Sequence, residues 1–391
     1  MNKLVVIGSL NMDIVSRIEQ FAKAGETIHS SHLAYFPGGK GANQAVAAAR
    51  FGADCTMIGA VGSDGFADQL IEQLQSGGVH TEHVLRMEGP SGTAFIMVNE
   101  SGENIIVVSE GSNGKLSPQA VDKHIPWEQA YAVLLQNEIP WETTCHIIAS
   151  AKQANVPVWL NPAPARSIPA ELWGDIDTFI MNETEAALIT GMPVHHAESA
   201  KAAAELLIKR GAKQVIVTLG EQGCIYTNVE GEHISLKAYN VQAVDTTAAG
   251  DTFIGVYAAA RHKGETVEAA LSYAVAASAL AVTQHGAQAS IPTKQQVDAF
   301  IANEYRWSGD QFANFVLALA AKRAIEQFFV RPFLFRHAQP CSVRLVNTLS
   351  IKPYDSESAA DMKLSRSVSS AMRSIGCPVL SARMRFSLSR R

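Results

Sequence analysis

The sequence predicts an α/β fold with a mainly parallel sheet and helices on both faces. Three observations carry that expectation. Short β-branched runs alternate with Ala-rich helical stretches as far as about residue 300. The 391-residue chain is 47% hydrophobic and 18% charged, the balance of a globular protein able to bury a full core. Two stretches break the alternation with strand-like sequence and no intervening helix, which suits a small β lid.

Leu4–Ile7 opens the pattern as a buried strand, and 14–36 follows as the first lid stretch. Ala42–Phe51 is the first helix, Cys55–Ile58 the next strand and Asp68–Ser76 the next helix. The second lid stretch, within 93–108, pairs Phe95–Val98 with Ile105–Val108 around an Asn99–Gly102 turn. Ala132–Leu135, Val156–Leu160, Thr178–Ile180, Gln214–Thr218 and Cys224–Tyr226 are further strands. Thr143–Gln153, Glu183–Thr190 and Ser199–Lys209 lie between them, and Val267–Thr283 is a late helix.

Charge marks a boundary. From Tyr305 onward 14 Lys/Arg stand against 5 Asp/Glu, a net of +9 within a chain whose total is −5. A folded domain over 1–304 and a basic, poorly ordered extension over 305–391 are expected, with Phe312–Val330 the one helical pattern in the extension. The extension has the charge of a nucleic-acid or partner-binding appendage, but basic, weakly patterned sequence also arises when a reading frame is extended or shifted past its usual stop; the second reading is preferred and makes the extension dispensable. Five scattered cysteines without a CxxC pair or ligand spacing exclude a disulfide framework and a zinc site. No apolar run nears the roughly 20 residues of a spanning helix, so a cytoplasmic protein with no membrane partner is expected.

Four segments carry chemistry. Asp245–Phe253 (DTTAAGDTF) precedes a helical pattern beginning near Thr252, so backbone N–H groups around Ala248, Ala249 and Gly250 are free to meet an anion. Asp251 in that place is either a general base or an N-cap, and the segment alone does not choose. Gly38–Ala45 (GGKGANQA) offers close backbone approach with Lys40 and Asn43 as donors, or is a structural turn. Asn11 and Asp13, two apart, share one side of an extended chain and suit vicinal hydroxyls, or end a strand. Asn182 and Glu185 start a helix, or organise phosphate-bound Mg²⁺ through water; Thr218–Gly223 is a turn that could border a nucleotide. A Walker A loop is absent, and Gly59–Gly65 has the wrong glycine spacing for a dinucleotide loop.

In this order and spacing the segments resemble the ribokinase branch of the ribokinase/PfkB-type sugar kinases, over residues 3–300. Asn161–Ala165 and Gly286–Gln288 add to the likeness. The resemblance implies a three-layer αβα sandwich with a β lid, and ATP-dependent phosphorylation of a pentose 5-hydroxyl. It implies sugar contacts from Asn11, Asp13, Gly39, Lys40, Gly41, Ala42, Asn43 and Glu138, with Asp251 as base and Ala248–Gly250 as anion hole. Asn182, Thr218, Leu219, Gly220, Glu221, Gln222, Gly223 and Gly250 would border ATP, and Glu185 would act on Mg²⁺ through water. Asp245, Thr247, Ala281, Gln284, Gly286 and Ser290 would surround K⁺, and lid strands would pair two copies as a homodimer. Met12 stands where a small residue is expected, which brings 2-deoxyribose in beside ribose by crowding the 2-hydroxyl. Fructose, nucleoside and phosphosugar kinases and a non-catalytic sugar sensor are the rivals; a phosphosugar would want more arginine near these loops than Arg17.

Overall fold

The structure, a computed structural model, describes residues 2–307. In chain order come β1 (Lys3–Ile7), β2 (Asn11–Arg17), β3 (His32–Gly38), α1 (Lys40–Arg50), β4 (Cys55–Val61), α2 (Ala67–Ser76) and β5 (His80–Arg86). Then follow β6 (Gly92–Val98), β7 (Asn104–Ser109), α3 (Pro118–Asp122), β8 (Ala130–Leu135), α4 (Trp141–Ala154), β9 (Val158–Leu160), β10 (Thr178–Asn182) and α5 (Glu183–Thr190). The last are α6 (Ala197–Lys209), β11 (Gln214–Thr218), β12 (Cys224–Asn228), β13 (His233–Leu236), α7 (Ala249–His262), α8 (Val267–Ala281), α9 (Ala287–Ser290) and α10 (Lys294–Trp307).

Nine strands form the central sheet in the order β13-β12-β11-β10-β9-β8-β1-β4-β5, with β12 alone antiparallel to the rest. Strand alternation makes the layers. Leu4 and Val6 of β1 enter a core shared with α1, α7 and α8, whereas Val5 and Ile7 enter the opposite core with α4 and α6. A strand buried on both faces reads as a continuous apolar run, as β1 does. The expected αβα sandwich is present, and α10 continues to Trp307, past the expected domain edge at 304. The basic extension and its Phe312–Val330 helix lie outside the described residues.

The lid is a four-stranded sheet, β3-β2-β6-β7, closed at one end by the Asn99–Gly102 turn. Register puts Leu33, Tyr35, Phe95, Ile105 and Val107 on one face, 42–55% exposed. Asp13 belongs to the other face with Ala94 and Val108. Two strands went unpredicted: β5 and β13, both polar edge strands. Among the described residues no helix is long and apolar enough to cross a membrane.

Candidate active site

The chain rises from β1 to β5 on one side of the sheet and from β8 onward on the other, so strand order reverses between β1 and β8. Crevices of open α/β sheets lie at such a reversal, beyond the carboxyl ends of the strands. Ser9–Asp13 after β1, Glu138 after β8, Asn161 after β9, Asn182 at the end of β10 and Thr218 at the end of β11 all stand on that edge. Helices α1 and α7 bring the remaining groups. Their approach is set by Gly255, where a Cβ would lie 2.4 Å from Gln44 O and 2.5 Å from Ala47 Cβ. Because α7 can sit that close, Asn43 Nδ2 reaches Asp251 Oδ2 at 3.0 Å and Gln44 Nε2 reaches Asp251 Oδ1 at 3.0 Å.

Asp251 is buried at the third residue of α7, and the helix start has no side-chain cap. Its carboxylate turns to α1 instead of its own backbone, which removes the N-cap reading. Burial pushes its pKa up, opposed by Lys40 and by the amide donors of Asn43 and Gln44. Lys40 faces Asp251, Glu138, Glu185 and Asp13; burial works against its charge, but the four carboxylates win and raise its pKa. Asp13 is pushed up to about 7, first by burial and then by Glu138 and Asp251. Glu138 is held by the Ser9 hydroxyl and by Lys40 N–H at 3.1 Å. Asn11 is buried and its Oδ1 accepts from Asn113 Nδ2 at 2.8 Å. Asn43 Oδ1, buried, has no hydrogen-bond partner among the described residues.

A cavity of about 210 Å³ opens beside these groups, lined by Lys40, Asn161, Asn182, Glu185, Thr218 and the Thr246–Asp251 turn. Within that turn Ala248 takes a left-handed conformation, φ 59°, ψ 11°, which costs a non-glycine residue on the order of 1–2 kcal/mol. The kink aims the start of α7 at the cavity. Ala249 N–H is spent on Thr246 O at 3.3 Å, while the N–H groups of Gly250 and Asp251 fall in the first turn, where helix geometry supplies no acceptor. A larger cavity, about 540 Å³ between Ile168, Trp173, Leu188 and Arg210, gathers no comparable set of titratable groups.

Asn182 and Glu185 form a reciprocal capping box: Glu185 N–H donates to Asn182 Oδ1 at 2.8 Å and Asn182 N–H to Glu185 Oε2 at 3.0 Å. The pair therefore starts a helix and lines the cavity at once. Burial raises the Glu185 pKa against hydrogen bonding from Asn182 and attraction to Lys40. Thr218 reaches the cavity, whereas Leu219, Gly220, Glu221, Gln222 and Gly223 form the tight turn beyond it, with Gln222 Nε2 on His195 O at 3.0 Å.

Asp245 ties the turn before α7 to the segment after α8. Its Oδ1 accepts from Thr247 N–H at 2.9 Å and its Oδ2 from Gly286 N–H at 2.9 Å. Burial opposes the charge, yet these bonds hold its pKa low. Ala281 O accepts from Gln284 N–H at 3.1 Å, and Ser290 Oγ donates to Ala287 O at 2.8 Å. Its carboxylate is thus committed to fixing the turn before α7 against the segment after α8.

The structure thus gathers Asp13, Lys40, Asn43, Glu138, Glu185 and Asp251 around one crevice, with Gly39, Gly41 and Ala42 at the start of α1 beside them. Met12, expected to crowd the sugar's 2-hydroxyl, is 1% exposed, lies in the core cluster that also holds Leu10 and Ala42, and falls on the face of β2 opposite Asp13. Ser9, Gln44, Asn113 and Gln136 went unnamed in the sequence. Their signal is slight: polar residues next to, or within, otherwise apolar stretches.

A buried carboxylate at a helix start, a turn with two N–H groups left without helical acceptors and an oxygen-rich edge suit the layout of a small-molecule kinase. The chain belongs to the pfkB family of carbohydrate kinases, whose model matches residues 1–294. It is 40% identical over 302 residues to a ribokinase of Staphylococcus aureus, covering 76% of this chain and 99% of the relative. It is 38% identical over 302 residues to a deoxyribokinase of Salmonella typhi, covering 76% and 98%. Among solved structures, that of Arabidopsis thaliana ribokinase complexed with ribose and ATP superposes with a TM-score of 0.71 at 35% identity, covering 76% of this chain and 98% of that one.

Proposed function

We propose that this sugar kinase transfers the γ-phosphoryl group of ATP to the 5-hydroxyl of D-ribose. The observation that carries the reading is the Asp251 carboxylate, buried beside Lys40, gripped by two amides and set where α7 opens on the cavity. Burial raises the pKa of this carboxylate, which strengthens it as a proton acceptor in its ionised form. Asp251 takes the hydroxyl proton as the oxygen attacks. Lys40 and the N–H groups of Gly250 and Asp251 receive the charge of the moving phosphoryl group, with Ala248 and Ala249 shaping that hole.

The sugar lies under the lid against Asn11, Asp13, Gly39–Asn43 and Glu138. The unpaired Asn43 Oδ1 is an acceptor that a sugar hydroxyl satisfies. ATP lies along Asn182, Thr218–Gly223 and Gly250. Mg²⁺ fits the acidic Glu185 through water and supplies charge neutralisation for the phosphates. The carbonyls of the loops that Asp245 ties together, near Thr247, Ala281, Gln284, Gly286 and Ser290, would hold K⁺, which would supply positive charge beside the anion hole. The apolar outer lid face pairs with that of a second copy.

A second reading, 2-deoxyribose as the sugar, is favoured by deoxyribokinase relatives nearly as similar as the ribokinases. A coupled assay across ribose, 2-deoxyribose, fructose and ribonucleosides separates the two. Asp251→Asn tests the base. Turnover drops by ~10²–10⁴-fold or more while ribose still binds, and near-normal turnover would sink the assignment.

A further inference from the structure

Gln44 and Gln136 are amide side chains with 0% exposure. Gln44 Nε2 lies 3.0 Å from Asp251 Oδ1 and 3.3 Å from Asn161 Oδ1. Both neighbours are acceptors: the first is a carboxylate, and the Asn161 amide has its nitrogen on Ile180 O at 2.9 Å and Glu185 Oε2 at 3.4 Å. Gln44 therefore has one workable orientation, nitrogen toward Asp251. Its Oε1 then accepts from Gln136 Nε2 at 2.7 Å. Gln136 Oε1 is left buried without a partner among the described residues, against Gly8, where a Cβ would sit 2.0 Å away. The fold tolerates an unpaired buried oxygen at one end of this chain and thereby keeps a donor on Asp251 at the other.

We propose that Gln44 is a positioning residue for phosphoryl transfer, holding Asp251 by Oδ1 so that Oδ2, shared with Asn43, meets the sugar hydroxyl, while Gln136 sets the direction in which Gln44 donates. Through Asn161 the same amide nitrogen joins Asp251 to Glu185, so the sugar side and the nucleotide side of the site share one run of hydrogen-bonded side chains. The inference rests on Asp251 being the base.

The test uses the full chain with Gln44→Leu, Gln136→Leu and Asp251→Asn, each assayed for kcat, ribose KM, ribose affinity and pH profile. In Gln44→Leu, kcat falls about 10²-fold, the cost of a misplaced reacting group, while ribose KM stays within a few-fold. The acid limb of kcat/KM moves to higher pH, because Asp251 loses a hydrogen bond that favours its charged form. The other groups facing it (Lys40, Asn43, Asp13, Glu138 and Glu185) are unchanged. Gln136→Leu shows a smaller loss in the same direction. An unchanged kcat and pH limb in Gln44→Leu, or a parallel fall of kcat, ribose affinity and Tm, overturns the inference. If Gln44→Leu does not fold, Gln136→Leu decides, and an unmoved kcat and limb there overturn it. A dead Asp251→Asn beside a normal Gln44→Leu sinks this inference alone; an active Asp251→Asn sinks the base reading as well.

Discussion

Replacing Asp13 by Asn tests the electrostatics of the carboxylate cluster at the crevice without any substrate. Asp13 has its pKa pushed up to about 7 by burial and by Glu138 and Asp251, against 3.8 for the free side chain. The folded protein thus binds this proton more tightly than the unfolded chain. The stabilisation is complete below about 3.8 and is lost as pH rises through about 7. Between pH 6 and 8 the unfolded chain is already ionised, so the loss in that window amounts to about 1.4 kcal/mol. In a domain of this size that is a few degrees of Tm. Asn copies the protonated shape and has nothing to titrate. Urea unfolding of both proteins without ligand, followed by tryptophan fluorescence at constant ionic strength, reads the effect. His124 and His233, whose pKa values burial holds low, add a slope of the opposite sign, and both proteins share it. The difference between the two curves is therefore the measurement: the variant gains about 1.4 kcal/mol on the natural protein from pH 6 to 8. Parallel curves would refute the burial of Asp13 beside Glu138 and Asp251.

Three further outcomes are expected. Phe95→Lys on the outer lid face breaks a dimer to monomers in light scattering, and a natural protein that is itself monomeric at assay concentrations refutes the pairing. Replacing Na⁺ by K⁺ raises kcat roughly tenfold, ~1.4 kcal/mol at the transition state; Asp245→Asn abolishes the response, and equal rates in both salts reject the cation loop. A chain shortened to residues 1–307 keeps its Tm and its activity, since every described element is then retained; loss of either shows that the basic extension matters.

The alternation of β-branched and Ala-rich segments was enough to place most of the sheet, and the lid hairpins followed from missing helical period and an Asn99–Gly102 turn. The strands β5 and β13 escaped because edge strands with half-exposed polar sequence, such as His80–Arg86, carry no clear hydrophobic period. Asp13, Lys40 and Asp251 were legible as residue types in suggestive turns, but Asp251 alone did not distinguish a cap from a base. That distinction depends on α1, 207 residues away in the chain at Gln44, arriving at hydrogen-bond distance. Alternation along β2 was visible in sequence, yet whether the Met12 face or the Asp13 face meets the core is settled only by the packing of the strands.

Gly255 never meets sugar or nucleotide, one helical turn below Asp251, yet its missing side chain is the gauge that sets the reach of Asn43 and Gln44. A single methyl there would act as a shim, prising α1 from α7 and stretching both grips on Asp251 together. Helix spacing and the hold on one carboxylate are thereby written into one position, as an absence. Anyone transplanting the two signature segments onto another scaffold must carry that gap across with them, or the residues will all be present and out of register.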